Sequence, residues 1–177
     1  MIDVKIKPRK RIALVAHDSR KLELKEWVEY NKDVLVDCEI YATGTTGTMI
    51  QECFLTANPS FKHELSTGET LSTSDIRFSY TNVINKLHSG PLGGDQEIGA
   101  MIANRKLDVV IFFCDNLITQ GHAQDIQALS RLASLYNIAY ANNRTTADMI
   151  ITSPLFKDPN YKRQIPTCIK KYAGRFN

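Results

Sequence analysis

Residues 107–114 read Leu-Asp-Val-Val-Ile-Phe-Phe-Cys, and this stretch decides the fold. Apart from its aspartate it is a short apolar run without alternation, which is typical of a β-strand buried on both faces of a sheet. Residues 12–16, Ile-Ala-Leu-Val-Ala, have the same character and lie between charged neighbours. Residues 38–42 and 138–141 are predicted as two further strands.

Apolar residues recur at helical spacing between these strands, as in Leu24, Trp27 and Val28. The same spacing predicts helices around residues 98–102 and 126–136, and a last helix starting at 147–151. Strands alternating with helices require right-handed crossovers, which make a parallel sheet. We therefore predict an α/β fold with three layers: a mostly parallel sheet with helices on both faces, in one domain over residues 1–177.

The segment 53–88 interrupts the alternation of strands and helices. It holds ten Ser and Thr residues between positions 56 and 81 and shows little periodicity. A compact domain rarely carries so long a connection without a reason of its own. We interpret it as a polar insertion within the single domain, with a candidate hairpin at 76–83.

Composition excludes several classes of protein. The 177 residues carry 22 Lys+Arg and 19 Asp+Glu, and this net charge of +3 is too weak to predict binding to nucleic acid or to a membrane surface. The longest apolar stretch, 109–114, is too short to span a bilayer, and the basic N-terminus lacks the apolar region of a secretory signal. The four cysteines form no Cys-x-x-Cys pair, so we expect reduced thiols and a cytoplasmic location.

Polar residues follow each predicted strand. In open parallel sheets ligands bind beyond the carboxyl ends of the strands, so these residues are expected to meet at one edge. They are His17, Asp18 and Lys21 after the first strand, the turn 43–47 after the second, Asp115, His122 and Asp125 after the third, and residues 142–144 after the fourth.

Two glycine-rich stretches have the chemistry of anion sites. Residues 43–47, Thr-Gly-Thr-Thr-Gly, offer hydroxyls and backbone N–H groups to a phosphate, or are simply a tight turn capped by threonine. Residues 89–96, Ser-Gly-Pro-Leu-Gly-Gly-Asp-Gln, place Asp95 at a helix start. Asp95 is there either an N-cap or a general base, with Ser89 and Gly90 serving anionic oxygens.

The two histidines at this edge, His17 and His122, lie among several carboxylates, which favours a chemical over a structural role. The sequence has no His-x-His or His-x-x-x-His spacing, so a metal site is not predicted. No Gly-x-Ser-x-Gly elbow of a serine hydrolase is present either.

The motif Leu14-Val15-Ala16-His17-Asp18, together with residues 41–47 and 89–96, resembles the methylglyoxal synthase family. The resemblance covers roughly residues 9–50 and 87–156. It implies a parallel five-stranded sheet flanked by helices and assembled as a homohexamer. It also implies a lyase that eliminates phosphate from dihydroxyacetone phosphate, without metal or organic cofactor, to give methylglyoxal and inorganic phosphate.

The resemblance also implies roles for individual residues. Asp95 is the expected catalytic base, and His17 and His122 are expected at the carbonyl and hydroxyl end of the substrate. The expected substrate- and phosphate-binding set is His17, Lys21, Thr45, Thr46, Ser89 and Gly90. Asp115 and Asp125 are expected to line the site and orient its histidines, with Asp18 and Arg131 in support.

The chain departs from the family pattern after the third strand. Family members usually carry Trp-Asp-Pro-Leu and then Pro-His-Asp-Pro-Asp, whereas residues 114–117 read Cys-Asp-Asn-Leu and 121–125 read Gly-His-Ala-Gln-Asp. The lost prolines enlarge the conformational freedom around His122. Two alternatives therefore stay open: a non-catalytic regulatory module of the same fold that binds phosphate or an effector, and another phosphosugar lyase or isomerase. The retained base, Asp95, argues against a pure sensor.

Overall fold

The computed structural model of the chain describes residues 9–57, 84–117 and 123–174. Within these ranges, one sheet of five parallel strands has the order β3-β2-β1-β4-β5. The strands are β1 (Arg11–Ala16), β2 (Glu39–Thr43), β3 (Ile84–Leu87), β4 (Val109–Phe113) and β5 (Ala139–Ala141). The predicted parallel five-stranded α/β architecture is confirmed.

Helices follow the strands in the order expected for right-handed crossovers. They are α1 (Lys21–Tyr30), α2 (Lys32–Leu35), α3 (Gly44–Ala57), α4 (Gly94–Ala103), α5 (Ala123–Leu135), α6 (Arg144–Thr152), α7 (Pro154–Lys157) and α8 (Thr167–Ala173). Short 3-10 turns at Asp18–Arg20 and Gly90–Leu92 precede α1 and α4. The helix starting at 147–151 is not the last one, because α7 and α8 come after it.

The side chains of β1 alternate between two hydrophobic cores, one on each face of the sheet. Ile12 and Leu14 pack in a core with buried residues of α1, α3 and α6. Ala13 and Val15 face the other core, which contains buried residues of α4 and α5. Burying each large apolar side chain contributes about 1.5–3 kcal/mol, so a central strand covered on both sides is strongly held. This alternation produces the three layers.

The strand β3 lies inside the segment that was interpreted as an insertion. Its sequence, Ile-Asn-Lys-Leu, pairs in parallel with β2 at the edge of the sheet and is only partly buried. A four-residue edge strand with two polar residues gives no apolar run, which is why the sequence pattern did not reveal it. Helix α3 also extends into the segment, to Ala57. The candidate hairpin at 76–83 lies outside the described residues, and the insertion itself stays a prediction.

The strand order creates a crevice at the carboxyl ends of the two central strands. The chain leaves β1 toward β2 on one side, while β4 and β5 lie on the other. Connections diverge at such a topological switch point and leave room for a ligand. None of the helices in the described ranges is long and apolar enough to cross a membrane.

Candidate active site

A cleft of about 480 Å³ opens at this switch point. Residues that follow β1, β2 and β3 line it, and Phe112 of β4 contributes to its wall. Eight residues singled out from the sequence lie there together: His17, Asp18, Lys21, Thr45, Thr46, Ser89, Gly90 and Asp95. The expectation that separate strand ends converge on one site is met for these eight.

An ammonium group and hydroxyls form an anion cradle on one side of the cleft. Lys21 is the first residue of α1, and its Nζ donates to Thr45 Oγ1 and, at 2.5 Å, to Asp18 Oδ1. The hydrogen bond from Lys21, reinforced by its charge, lowers the pKa of the Asp18 carboxyl. Thr45 lies in the first turn of α3, where free backbone N–H groups and the helix dipole favour an anion. The cradle therefore combines one cation with a helix N-terminus.

The turn that begins α3 packs directly against Ser89. Gly44 has φ +36°, and a Cβ at this position would lie 3.0 Å from both Cα and Cβ of Ser89. A side chain at position 44 would push the two segments apart. Glycine at position 44 thus brings Thr45 and Thr46 beside Ser89 and Gly90, so that the two glycine-rich stretches form one surface.

Asp95 is not the N-cap of its helix. The N-cap of α4 is Gly93, whose φ of 107° requires glycine, and Asp95 is the second residue of the helix. Its side chain is only 2% exposed. A Cβ at Gly90 would lie 3.1 Å from Asp95 Oδ2 and 3.2 Å from Oδ1. The carboxylate is therefore held in the cleft against the backbone of Gly90, and the interpretation as an N-cap is wrong.

His17 is held as a neutral imidazole. Its Nδ1 accepts the backbone N–H of Asp115 at 2.8 Å, so the proton of the neutral ring lies on Nε2. A proton on Nδ1 would set two N–H donors against each other. The ring is 6% exposed and packs edge-on against Phe112, with centroids 5.0 Å apart. His17 thus brings a neutral N–H donor to the wall of the cleft.

The carboxylate of Asp115 contacts Ser19 and its own loop. Its Oδ2 accepts from Ser19 Oγ at 2.5 Å, and its Oδ1 accepts from the backbone N–H of Leu117 at 2.9 Å. The contact that orients His17 comes from the backbone of Asp115, as just described. Asp115 is absent from the lining of the cleft, and the orienting role expected of its carboxylate stays a prediction.

Of the remaining expected site residues, Arg131 does not line the cleft, and the structure describes neither His122 nor the side chain of Asp125. His122 lies outside the described residues, and Asp125 lies in the first turn of α5. Arg131 is exposed on α5 and is absent from the lining of the cleft. Asn143, from the stretch 142–144, caps α6 by accepting the N–H of Thr146 at 2.9 Å. The roles expected of His122, Asp125 and Arg131 stay predictions.

Sequence reasoning missed two residues of the cleft wall. Ser19 and Phe112 line the cleft but were not singled out. Ser19 was the easier to find, because it directly follows the pair His17-Asp18 at the end of a predicted strand. Phe112 gave no such signal, because it is apolar and lies inside the predicted strand.

The cleft combines three chemical abilities. A buried carboxylate can take a proton, a neutral imidazole can donate a hydrogen bond to a developing oxyanion, and the cradle can hold a dianion. In residues 9–57, 84–117 and 123–174, no three His, Cys, Asp or Glu side chains are grouped to hold a metal ion. The arrangement suits removal of a proton next to a carbonyl group in a phosphorylated substrate.

Comparison with known proteins gives one consistent family. A family profile described as "MGS-like domain" matches residues 65–142, a match that begins inside the segment 53–88. A methylglyoxal synthase of Yersinia enterocolitica is 42% identical over 171 residues, covering 93% of this chain and 95% of that protein. One from Yersinia pestis (strain Pestoides F) is 42% identical over 164 residues, covering 89% and 90%. The crystal structure of methylglyoxal synthase from Elizabethkingia anophelis NUHP1 superposes with a TM-score of 0.67 at 37% identity, covering 89% of this chain and 86% of that one.

Proposed function

The chain belongs to the methylglyoxal synthase family, and we propose that it eliminates phosphate from dihydroxyacetone phosphate to give methylglyoxal and inorganic phosphate. One observation carries the proposal. The buried carboxylate of Asp95 lies in the same cleft as the cradle formed by Lys21 and Thr45. A base and a dianion site side by side are what this elimination needs.

Asp95 is the proposed base. It takes a proton from the hydroxymethyl carbon of the substrate, and the electron pair of the broken C–H bond forms an enediolate with the neighbouring carbonyl. The Nε2–H of His17 donates to the carbonyl oxygen as negative charge develops there. A neutral donor stabilises the oxyanion without delivering a full proton. His122, supported by Asp125, is proposed for the hydroxyl end of the substrate.

We propose that the cleft binds the substrate so that phosphate departs and the enediolate does not isomerise. When the C–O bond to phosphate lies out of the enediolate plane, the electron pair of the enediolate expels phosphate from the other carbon. The enol that remains is an isomer of methylglyoxal: it takes up a proton at its terminal CH₂ carbon and gives up its hydroxyl proton, which the released phosphate can accept. Lys21 neutralises the leaving group, while hydroxyls and backbone N–H groups bind its oxygens. The proposed donors are Thr45, Thr46, Ser89 and Gly90.

Several features of the protein as a whole are proposed on the family relationship. These are the homohexamer, a cytoplasmic location, a single domain carrying an insertion near residues 53–88, a reaction without metal or cofactor, and supporting roles for Asp18 and Arg131. In the part of the chain that the structure describes, Cys38, Cys53, Cys114 and Cys168 form no disulfide, which is compatible with a reducing compartment.

Phosphate release and methylglyoxal formation from dihydroxyacetone phosphate test the proposed function directly. Chelator-treated protein is expected to form both products in equal amounts. Binding of inorganic phosphate without any turnover would instead favour the regulatory module. Turnover that depends on added metal would contradict the proposed site.

Replacing the base separates chemistry from binding. We expect Asp95→Asn to abolish turnover, because an amide cannot accept the proton, while inorganic phosphate still binds to the cradle. Calorimetric titration with phosphate, alongside the product assay, measures both properties. Turnover within tenfold of wild type would show that Asp95 is not the base.

A further inference from the structure

A chain of hydrogen bonds runs from the end of β1 to the end of β4 and back to the proposed electrophile. Ser19 Oγ donates to Asp115 Oδ2 at 2.5 Å, and the backbone N–H of Asp115 donates to His17 Nδ1 at 2.8 Å. We propose that Ser19 is a positioning residue that acts through Asp115 to keep His17 in its Nε2–H tautomer. This inference rests on the proposed function of the cleft.

The two bonds close a short ring across the topological switch point. His17 and Ser19 lie two residues apart after β1, and both contact Asp115, which lies 98 and 96 positions further along the chain. The backbone N–H of His17 also donates to the Phe113 carbonyl at 3.2 Å, the last ladder bond between these strands. Beyond that bond, the Ser19–Asp115 bond is a side-chain link between the segments that follow the two strands.

The carboxylate of Asp115 links Ser19 to the loop that follows β4. Its second oxygen accepts the Leu117 N–H at 2.9 Å, which folds the loop after β4 into a turn around the carboxylate. Fixing the carboxylate from the Ser19 side therefore fixes the backbone of the same loop. That backbone supplies the N–H that selects the tautomer of His17. In our proposal, Ser19 acts on the reacting group through this path.

The tautomer matters because only one ring nitrogen can serve the substrate. With Nδ1 occupied as an acceptor, Nε2 carries the proton and can donate to the enediolate oxygen. If the loop of Asp115 shifts, Nδ1 loses its donor and the ring can place its proton on either nitrogen. The fraction of molecules with a donor at the correct place then falls, which lowers kcat more than substrate affinity.

Three matched variants test the link. Ser19→Ala removes the hydroxyl, Ser19→Thr retains it, and Ser130→Ala makes the same change on the exposed face of α5. Because the bond is solvent-exposed, we expect a modest effect: kcat of Ser19→Ala falls about three- to tenfold, with KM within twofold of wild type. Ser19→Thr should restore most of kcat, and Ser130→Ala should match wild type.

Nitrogen-15 NMR of the histidine ring supplies a readout that a purely structural role would not change. The His17 signals, assigned by their loss in His17→Gln, should show one tautomer protonated on Nε2 in wild type and a mixture in Ser19→Ala. An unchanged tautomer in Ser19→Ala, or equal losses of kcat in Ser19→Ala and Ser19→Thr, would overturn the proposal.

The spectroscopic arm also separates this inference from the proposed function. It is measured on the unliganded protein and needs no turnover. A protein without lyase activity, but with a tautomer that depends on Ser19, would refute the reaction and retain the positioning link. An active enzyme in which the His17 tautomer does not depend on Ser19 would support the reaction and refute the positioning link.

Discussion

Adding one methyl group at Gly90 tests whether the position of the Asp95 carboxylate limits catalysis. The Cβ of Gly90→Ala would lie 3.1 Å from Oδ2 and 3.2 Å from Oδ1, whereas ordinary contact begins at 3.4 Å. The carboxylate must therefore retreat by about 0.3 Å. Misplacing reacting groups by 1 Å costs on the order of 100-fold in rate, so we expect kcat to fall roughly four- to tenfold.

The same substitution does not place alanine at a positive φ. Among the described glycines, only Gly44 and Gly93 have positive φ, so alanine is compatible with the conformation of Gly90. Alanine at such a site restricts the unfolded chain and stabilises the protein by about 0.4–1 kcal/mol, which offsets part of the contact strain. The expected result is a loss of kcat with little change in Tm.

Gly93→Ala is the matched control, three residues along the same loop. Its Cβ would meet nothing closer than Gln96 Oε1 at 3.9 Å, but its φ of 107° is unfavourable for alanine. This variant should lose stability, by about 1–2 kcal/mol, while retaining more of its kcat than Gly90→Ala. Steady-state kinetics and thermal unfolding measure both variants. A wild-type kcat in Gly90→Ala, or a larger loss of kcat in Gly93→Ala, would refute the reasoning.

Three further predictions concern charge and thiol chemistry. Lys21→Gln should weaken inorganic phosphate binding at least tenfold in calorimetric titration, since charge-assisted hydrogen bonds contribute about 1.5–3 kcal/mol; binding within twofold of wild type would contradict the cradle. Burial raises the pKa of Asp108, but hydrogen bonds from Arg11 outweigh it and the net pKa is lowered. The ionised carboxylate of Asp108 therefore stabilises the fold above about pH 4, and this contribution is lost on acidification. In urea unfolding at pH 7, Asp108→Asn should have a lower free energy of unfolding than wild type. The difference in free energy between the two proteins should shrink toward pH 3. A difference independent of pH would contradict this linkage. Of the four cysteines, only Cys168 should react with a thiol reagent in the native protein. Burial raises the pKa of the other thiols, to about 12 for Cys38 and about 11 for Cys53 and Cys114. Fast reaction of two or more thiols would contradict this prediction.

The sequence revealed the central strands because their signal is local. Residues 107–114 and 12–16 are apolar without interruption, and β4 and β1 are indeed buried on both faces. The edge strand β3 has no such signal. Its four residues gain their structure from pairing with β2, a contact some 44 positions away in sequence. A pattern confined to neighbouring residues cannot carry that information.

The site was predictable in its residue types more than in its contacts. Lys21 could be singled out because it follows the end of a predicted strand, and Asp95 because it follows a glycine-rich turn at a helix start. The partner of His17 could not be found in the same way, since the Asp115 donor is a backbone N–H, which every residue except proline possesses. The sequence could not show whether Asp95 caps its helix. The answer depends on where the helix begins, and the positive φ of Gly93 makes Gly93 the N-cap.

On the proposed function, an anion that binds to the cradle must displace Asp18 from its resting contact with Lys21. The Asp18 side chain is 94% exposed, so water can solvate it as soon as another anion takes its place on Lys21. Binding affinity therefore measures a difference between two anions, and a phosphate dianion prevails over a single carboxylate by its greater charge. On the proposed function, the same competition acts when the product leaves: Asp18 returns to Lys21 and helps to expel inorganic phosphate. On this proposal, Asp18 limits the affinity of the enzyme for its product, inorganic phosphate.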